Sequence, residues 1–464
     1  LTPPSVTFTG ASVQVGVTAG MADVVLDRVG TLKMVRTAGA AAATLNLSSL
    51  TLVNASTMDV GAGGTLLVSG PGGVTVASSS TLTLLTGASM HVTHGVQVRT
   101  AATIAVNTTA SIYAGNMTVE AGGTVGGYGM GEGECTGLGA GVPGTGVGGS
   151  HAGCGGRVVC NPQGAPPTGG MYGSALAPVE PGSGGCKAVN ASGGSGGSGG
   201  AAIRIVVNDT LTLAGSVVAD GGVGGGAKGT GGGGGGGGSG GSIWLSAATL
   251  VPSSSGLVSA AGGNGGVSWE PSGDRGGGGS GGRIALTLIS CPFPGDPTTW
   301  PLRLTAPGGS RTVGGLSMGA AGSIWVACGS PSVGTLVVDV GSGAAGTPPY
   351  TLLMEATPTL AIDTILWPYG GSLVVSAAVS PPPAGASIGI LVSVASMGSP
   401  TATARGSLLV DAAVALAVGS GAQVLSGLPS VFPAGANAAA GIAAYNAAAP
   451  PPNPVVELGG GVWV

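Results

Sequence analysis

Charge is what this 464-residue chain has least of: 13 basic and 17 acidic residues make up 6% of it, and the net charge is −4. Ordinary soluble domains carry about 25% charged residues, so ions alone do not keep this surface in water. The slightly acidic balance, pI about 5.3, offers no basic stripe and excludes nucleic acid as a partner. Aromatics are scarce at 3%, which excludes a core built on large rings. No uncharged apolar run reaches 18 residues. The best stretch, 407–425, is broken by Asp411 and two glycines, so no membrane span is expected in this chain. There is no C-x-x-C pair, and no two histidines have H-x(3–5)-H spacing, which argues against zinc. No helical period with caps is visible.

Glycine fills the space that these absences leave. It numbers 99, beside 43% hydrophobic residues and a mean hydropathy of +0.51. Disordered chains combine low hydrophobicity with high net charge, and this chain has neither. Its aliphatics are small and suit narrow stacked coils. The expected class is therefore all-β: a right-handed parallel β-helix or solenoid with glycine-rich excursions.

Three regions follow from the pattern. Residues 1–125 read as short alternating strands with glycine corners, such as Thr44-Leu45-Asn46-Leu47 and Thr81-Leu82-Thr83-Leu84. Residues 126–330 carry a repeat in which Gly-Gly-Ser-Gly-Gly leads into a strand. Its anchors Ile203, Ile243, Ile284 and Ile324 are 40, 41 and 40 residues apart. Each unit should supply two strands and one glycine run, with the isoleucine inward and Arg204, Trp244 and Trp325 outward. The runs, including Gly231 to Gly238, read first as flexible loops, with packed polyproline-II segments as the alternative. Residues 331–464 return to strands broken by Pro381–Pro383 and Pro450–Pro452, and fit either more solenoid or a β-sandwich.

Six Asn-x-Ser/Thr sequons, at Asn46, Asn54, Asn107, Asn116, Asn190 and Asn208, all fall in the first 208 residues. N-glycans would keep a low-charge surface soluble, and the proline-rich turns offer places for O-glycans. Six cysteines fit the same oxidising compartment, so a secreted or cell-surface location is expected. The expected pairing keeps Cys135, Cys154, Cys160 and Cys186 among themselves and joins Cys291 to Cys328. The chain opens on Leu1 with no basic-then-apolar signal segment, which reads as a processed mature chain or part of a longer one.

Catalytic candidates are weak. Glu132 and Glu134 sit in a glycine loop beside Cys135, and a solvated loop explains them better than a Ca²⁺ site. Asp220 and Asp274 recur near glycine runs without an Asp-rich calcium-roll series. His91 and His94, three apart on a strand, face opposite ways. His151 has no evident partner. Thr-x-Thr steps are too sporadic for a continuous threonine plane. Trp244 and Trp325, at equivalent repeat positions, are candidates for packing or for stacking on sugar rings. No catalytic residue, metal or cofactor is implied, and the chain is not expected to be an enzyme.

The segments Gly237-Gly238-Ser239-Gly240-Gly241-Ser242-Ile243-Trp244-Leu245 and Gly278-Gly279-Ser280-Gly281-Gly282-Arg283-Ile284-Ala285-Leu286 resemble the glycine-rich repeats of eukaryotic cell-surface proteins with a pectin-lyase-like parallel β-helix. The resemblance covers roughly residues 120–330. The Ala/Gly/Val/Pro-rich composition with its triple prolines resembles mastigoneme and wall glycoproteins of green algae. It implies a structural role: a building block of a filament, sheath or matrix that associates with itself or with other extracellular glycoproteins. The alternative is a carbohydrate-binding or polysaccharide-cleaving β-helix.

Overall fold

The computed structural model describes residues 5–9, 12–16, 23–28, 31–35, 44–156, 170–188, 192–269, 275–293, 297–309, 318–329 and 333–339. Beyond these it describes the strands Thr351–Glu355, Thr359–Leu366, Gly371–Ala377, Ile390–Gly398, Gly406–Asp411, Val414–Val418 and Ser430–Ala434. Cys160, Asn190, Asp274 and both triple-proline clusters lie outside the described residues.

Alternation of a polar or small residue with an aliphatic one makes each segment a strand with one buried edge. Thr81–Leu84 and Thr103–Val106 both bury their second and fourth residues. Stacked in parallel, such strands form a 14-stranded sheet and a 9-stranded sheet, and the chain passes from one to the other within each coil. The architecture is all-β, with parallel strands in stacked sheets of the solenoid kind. Register shifts after Leu47, Val68, Ala114 and Val207 fall at one level of the longer strands. A further corner uses left-handed residues at Ala55, Ser79, Ala101 and Gly122 (φ 62°, 61°, 61° and 79°). Its coils are tied together by bonds such as Ala101 N–H to the Gly122 carbonyl, 3.0 Å.

The core is a set of straight columns. Leu45, Leu66, Met90, Ile112, Ile205, Leu245, Leu286 and Val326 lie in register on successive strands, and none is more than 5% exposed. Across the coil, Leu32, Met58, Leu82, Ile104, Val125, Val217 and Val258 form the facing column. Steps along the first column are 21, 24, 22, 93, 40, 41 and 40 residues. Each coil is thus a compact turn of just over twenty residues, and later coils carry glycine excursions. The 93-residue step holds the largest excursion, 127–201.

The four anchor isoleucines stack on one another and are buried, 2% exposed at most. After Gly322–Cys328 the chain doubles back: Val333–Asp339 pairs with it antiparallel, with Trp325 opposite Leu336. From there every described strand pairs in parallel again, extending the large sheet and adding a four-stranded one. The C-terminal region therefore continues the stacked array with strand direction reversed, and it is not a sandwich of antiparallel sheets.

The glycine runs are not free loops: residues 232–241 are buried, and the runs are hydrogen-bonded to one another. Along 235–241 the N–H groups point to three neighbours in rotation. Gly235, Gly238 and Gly241 donate to Gly225, Gly222 and Ala219, while Gly236 and Ser239 donate to Cys186 and Ser183. Gly237 and Gly240 donate to Gly277 and Ser280. The carbonyls of Gly233, Gly236 and Ser239 accept from Gly194, Gly197 and Gly200, and those of Gly235 and Gly238 from Gly266 and Gly263. This threefold rotation is the period of a polyproline-II helix. A segment with one crowded side needs glycine at every third position, as in collagen; one crowded on every side needs it everywhere. A Cβ on Gly234, Gly235, Gly236, Gly237 or Gly238 would fall on the carbonyl oxygen of Gly266, Ser195, Val147, Gly263 or Ser198.

Candidate functional site

Two places gather polar side chains, one inside and one on the surface. The inner one forms where the 127–201 excursion folds over the long sheet. Ser150, His151, Ser183, Ser239, Ser280 and Arg283 are all fully buried there. Tyr172 donates to the Pro181 carbonyl at 2.7 Å and shares a bond of 2.7 Å with Ser183 Oγ. Its ring stacks on His151, centroids 4.5 Å apart. Arg283 Nε donates to the Tyr172 carbonyl (3.0 Å) and Nη1 to Ser323 Oγ (3.1 Å). Burial, and secondarily the Arg283 charge, holds His151 down at about 3, against a partly offsetting bond to the Gly240 carbonyl. Burial also raises the Tyr172 phenol above its ordinary value. Buried and bonded in this way, the cluster fastens the excursion to the sheet.

The surface place is a cleft of about 450 Å³ on the outer face of the long sheet. Its floor comes from the strands Ala88–Val98, Thr109–Val119 and Ala202–Leu213, and Pro178 and Val179 of the excursion form a wall. Outward positions in register place Ser89, Ser111, Arg204 and Trp244 in one row, and His91 and Tyr113 in the next. The His91 and Tyr113 rings stack at 4.5 Å and 12°. The Arg204 guanidinium lies 4.2 Å from the Trp244 ring centroid and 5.7 Å from that of Tyr113. Arg204 and Trp244 are half-buried.

Trp325 corrects its expectation. It occupies the outward row but is 0% exposed; the antiparallel strand Val333–Asp339 lies beside it, with Leu336 opposite and Gly334 leaving room for its ring. It presents no surface for a sugar. His91 and His94 fall on one strand, His91 half-buried in the cleft and His94 exposed. Glu132 is half-buried and Glu134 exposed, and no group of three potential metal ligands occurs among the described residues. Asp220 is absorbed by structure: its carboxylate accepts from Ser259 Oγ (2.6 Å) and Ala261 N–H (2.7 Å) where a strand gives way to a glycine run. Thr57, Thr81, Thr103 and Thr124 do stack in one column, but the adjoining outward column reads Asp59, Thr83, Ala105 and Gly126, so no threonine plane forms.

Disulfides join Cys135 to Cys186 and Cys291 to Cys328. Cys154 is also disulfide-bonded, to a partner outside the described residues. Among the sequons, Asn54, Asn116 and Asn208 are exposed, and Asn46 and Asn107 are half-buried. Arg283 and Tyr172 are positions that the sequence pattern does not single out as a pair. Arg283 had a visible signal: it stands where the other repeats have Ala202, Ser242 and Ser323. No protein-family description, curated protein or solved structure matches this chain.

Proposed function

We propose that this chain is a structural glycoprotein of the extracellular space, a rigid building block of a filament, sheath or matrix. The observation that carries the reading is the glycine bundle laid along the solenoid. Segments from four excursions interlock through backbone hydrogen bonds, with Gly236 bonded to Cys186, Gly237 to Gly277 and Gly281 to Ala320. Such a body resists bending without charge or large side chains, as a load-bearing element requires. The disulfides suit an oxidising exterior, and exposed asparagines at Asn54, Asn116 and Asn208 suit glycans that solubilise a low-charge surface. The likeness to glycine-rich cell-surface β-helix proteins points the same way.

Electron microscopy of the native material is the test. Filaments or ordered sheets containing this chain support the proposal; a monodisperse monomer at all concentrations in its native setting refutes it. The cleft favours a second reading, carbohydrate binding. A cleaving enzyme of the glycosidase kind would need two carboxylates at the bond, and the described lining has none.

A further inference from the structure

We infer that the cleft on the outer face of the long sheet is a binding site for the anionic group of an acidic saccharide, a uronate carboxylate or a sugar sulfate, with Arg204 as its receptor. Arg204 is placed between the rings of Trp244 and Tyr113, at 4.2 and 5.7 Å. The two flanking strands thus hold the guanidinium plane, leaving its Nη N–H groups as the part still able to bond a ligand. A stacked guanidinium loses little freedom when it takes up a carboxylate or sulfate with its fork of donors.

The group is also unspent. Among the described residues no hydrogen bond or ion pair engages Arg204, and its Nε is enclosed without an acceptor. The rings answer the charge on the faces of the guanidinium only, and an anionic ligand would supply the acceptors that its N–H groups lack. Lining carboxylates, which would repel such a ligand, are absent from the described residues of the cleft.

The surroundings select a saccharide over a bare anion. Ser89 and Ser111 lead up to Arg204 in one row, about 4.8 Å apart per strand, and Thr109 and His91 lie beside them. This row of donors and acceptors suits a repeating hydroxylated polymer. Ring faces are occupied by His91, Tyr113 and Arg204 themselves, so recognition runs through hydrogen bonds and charge, with Pro178 and Val179 as an apolar edge for sugar C–H groups. The volume, about 450 Å³, falls within the roughly 300–1,000 Å³ typical of small-ligand sites. Nothing in this inference depends on assembly: the cleft belongs to a single chain.

Calorimetric titration of the dispersed, natively glycosylated protein tests it. The probes are an oligogalacturonate, a sulfated oligosaccharide and a neutral oligosaccharide of equal length. One charged probe is expected to bind at least tenfold more tightly than the neutral one, and the responding probe assigns carboxylate or sulfate. Arg204→Gln should lower that affinity about tenfold or more, and Arg204→Lys, which keeps charge but loses the fork, should fall between. Equal affinity for the neutral probe, unchanged affinity in Arg204→Gln, or no binding of either charged probe at millimolar concentration would overturn the assignment. Should Arg204→Gln not fold, Ser111→Ala decides: a several-fold loss supports the site and an unchanged affinity removes it. Binding is read on monomer, so its failure leaves the structural reading untouched.

Discussion

His151 Nδ1 lies 2.8 Å from the Gly240 carbonyl, where the bundle's threefold rhythm calls for a backbone donor. Three residues earlier, the Gly237 carbonyl accepts from the backbone N–H of Gly149; at Gly240 the imidazole takes over that task. Nδ1 must carry the hydrogen, and the ring must remain neutral beside the buried Arg283 guanidinium.

A pH dependence follows. In the unfolded chain His151 titrates near the ordinary histidine value of 6.5, and in the fold burial holds it down at about 3. The unfolded state therefore binds the extra proton between those values, and stability is full above about pH 6.5 and falls as pH drops toward 3, by up to about 1.4 kcal/mol per pH unit. Thermal melts of wild type and His151→Phe across pH 3–7 check this. The variant should lose part of the acid sensitivity; curves that remain parallel would show that the ring is not the source.

Glycines in the bundle should not tolerate a methyl group. Gly237→Ala places a Cβ on the Gly263 carbonyl, whereas a Cβ at Gly95 meets nothing within 4 Å. Overpacking typically costs about 1–3 kcal/mol, so Gly237→Ala should lower Tm by several degrees, with Gly95→Ala near wild type. Melting the two variants side by side provides the comparison.

Cys135 and Cys186 close a loop 51 residues long in sequence, and Cys186 sits inside the bundle. Replacing both with serine should destabilise the chain by about 2–4 kcal/mol. Limited proteolysis should then cut first within 136–185, with the coils of 44–126 intact longer.

Glycan occupancy should follow exposure. Asn54, Asn116 and Asn208 are exposed, whereas the Asn46 Oδ1 is enclosed without a partner. Glycopeptide mass spectrometry should find the exposed three occupied and Asn46 largely bare.

Legibility in the sequence tracked how narrowly each position is constrained. The forty-residue beat is readable because backbone packing this close admits little beyond glycine and serine, so Gly-Gly-Ser-Gly-Gly recurs almost unchanged. The shorter coils of residues 44–126 share the same columns, yet Leu45, Leu66, Met90 and Ile112 satisfy one position with three different side chains, which hides the period. Strand alternation placed the anchor isoleucines inward correctly. It does not foresee the burial of Trp325, because the strand that pairs beside it returns from beyond the repeat. The cleft is half legible: strand alternation turns Arg204 and Trp244 outward, but their meeting with Tyr113 depends on a register that spans the 93-residue step from Ile112 to Ile205.

Everything rests on the glycine runs being a bonded solid within the molecule. Hydrogen–deuterium exchange of the native protein, read on peptides covering 194–200 and 233–241, tests that most directly. Protection of these amides comparable to that of the core strands Ala202–Leu213 and Ser242–Pro252 is the predicted result. Complete exchange within seconds, at the rate of an open loop, would contradict it.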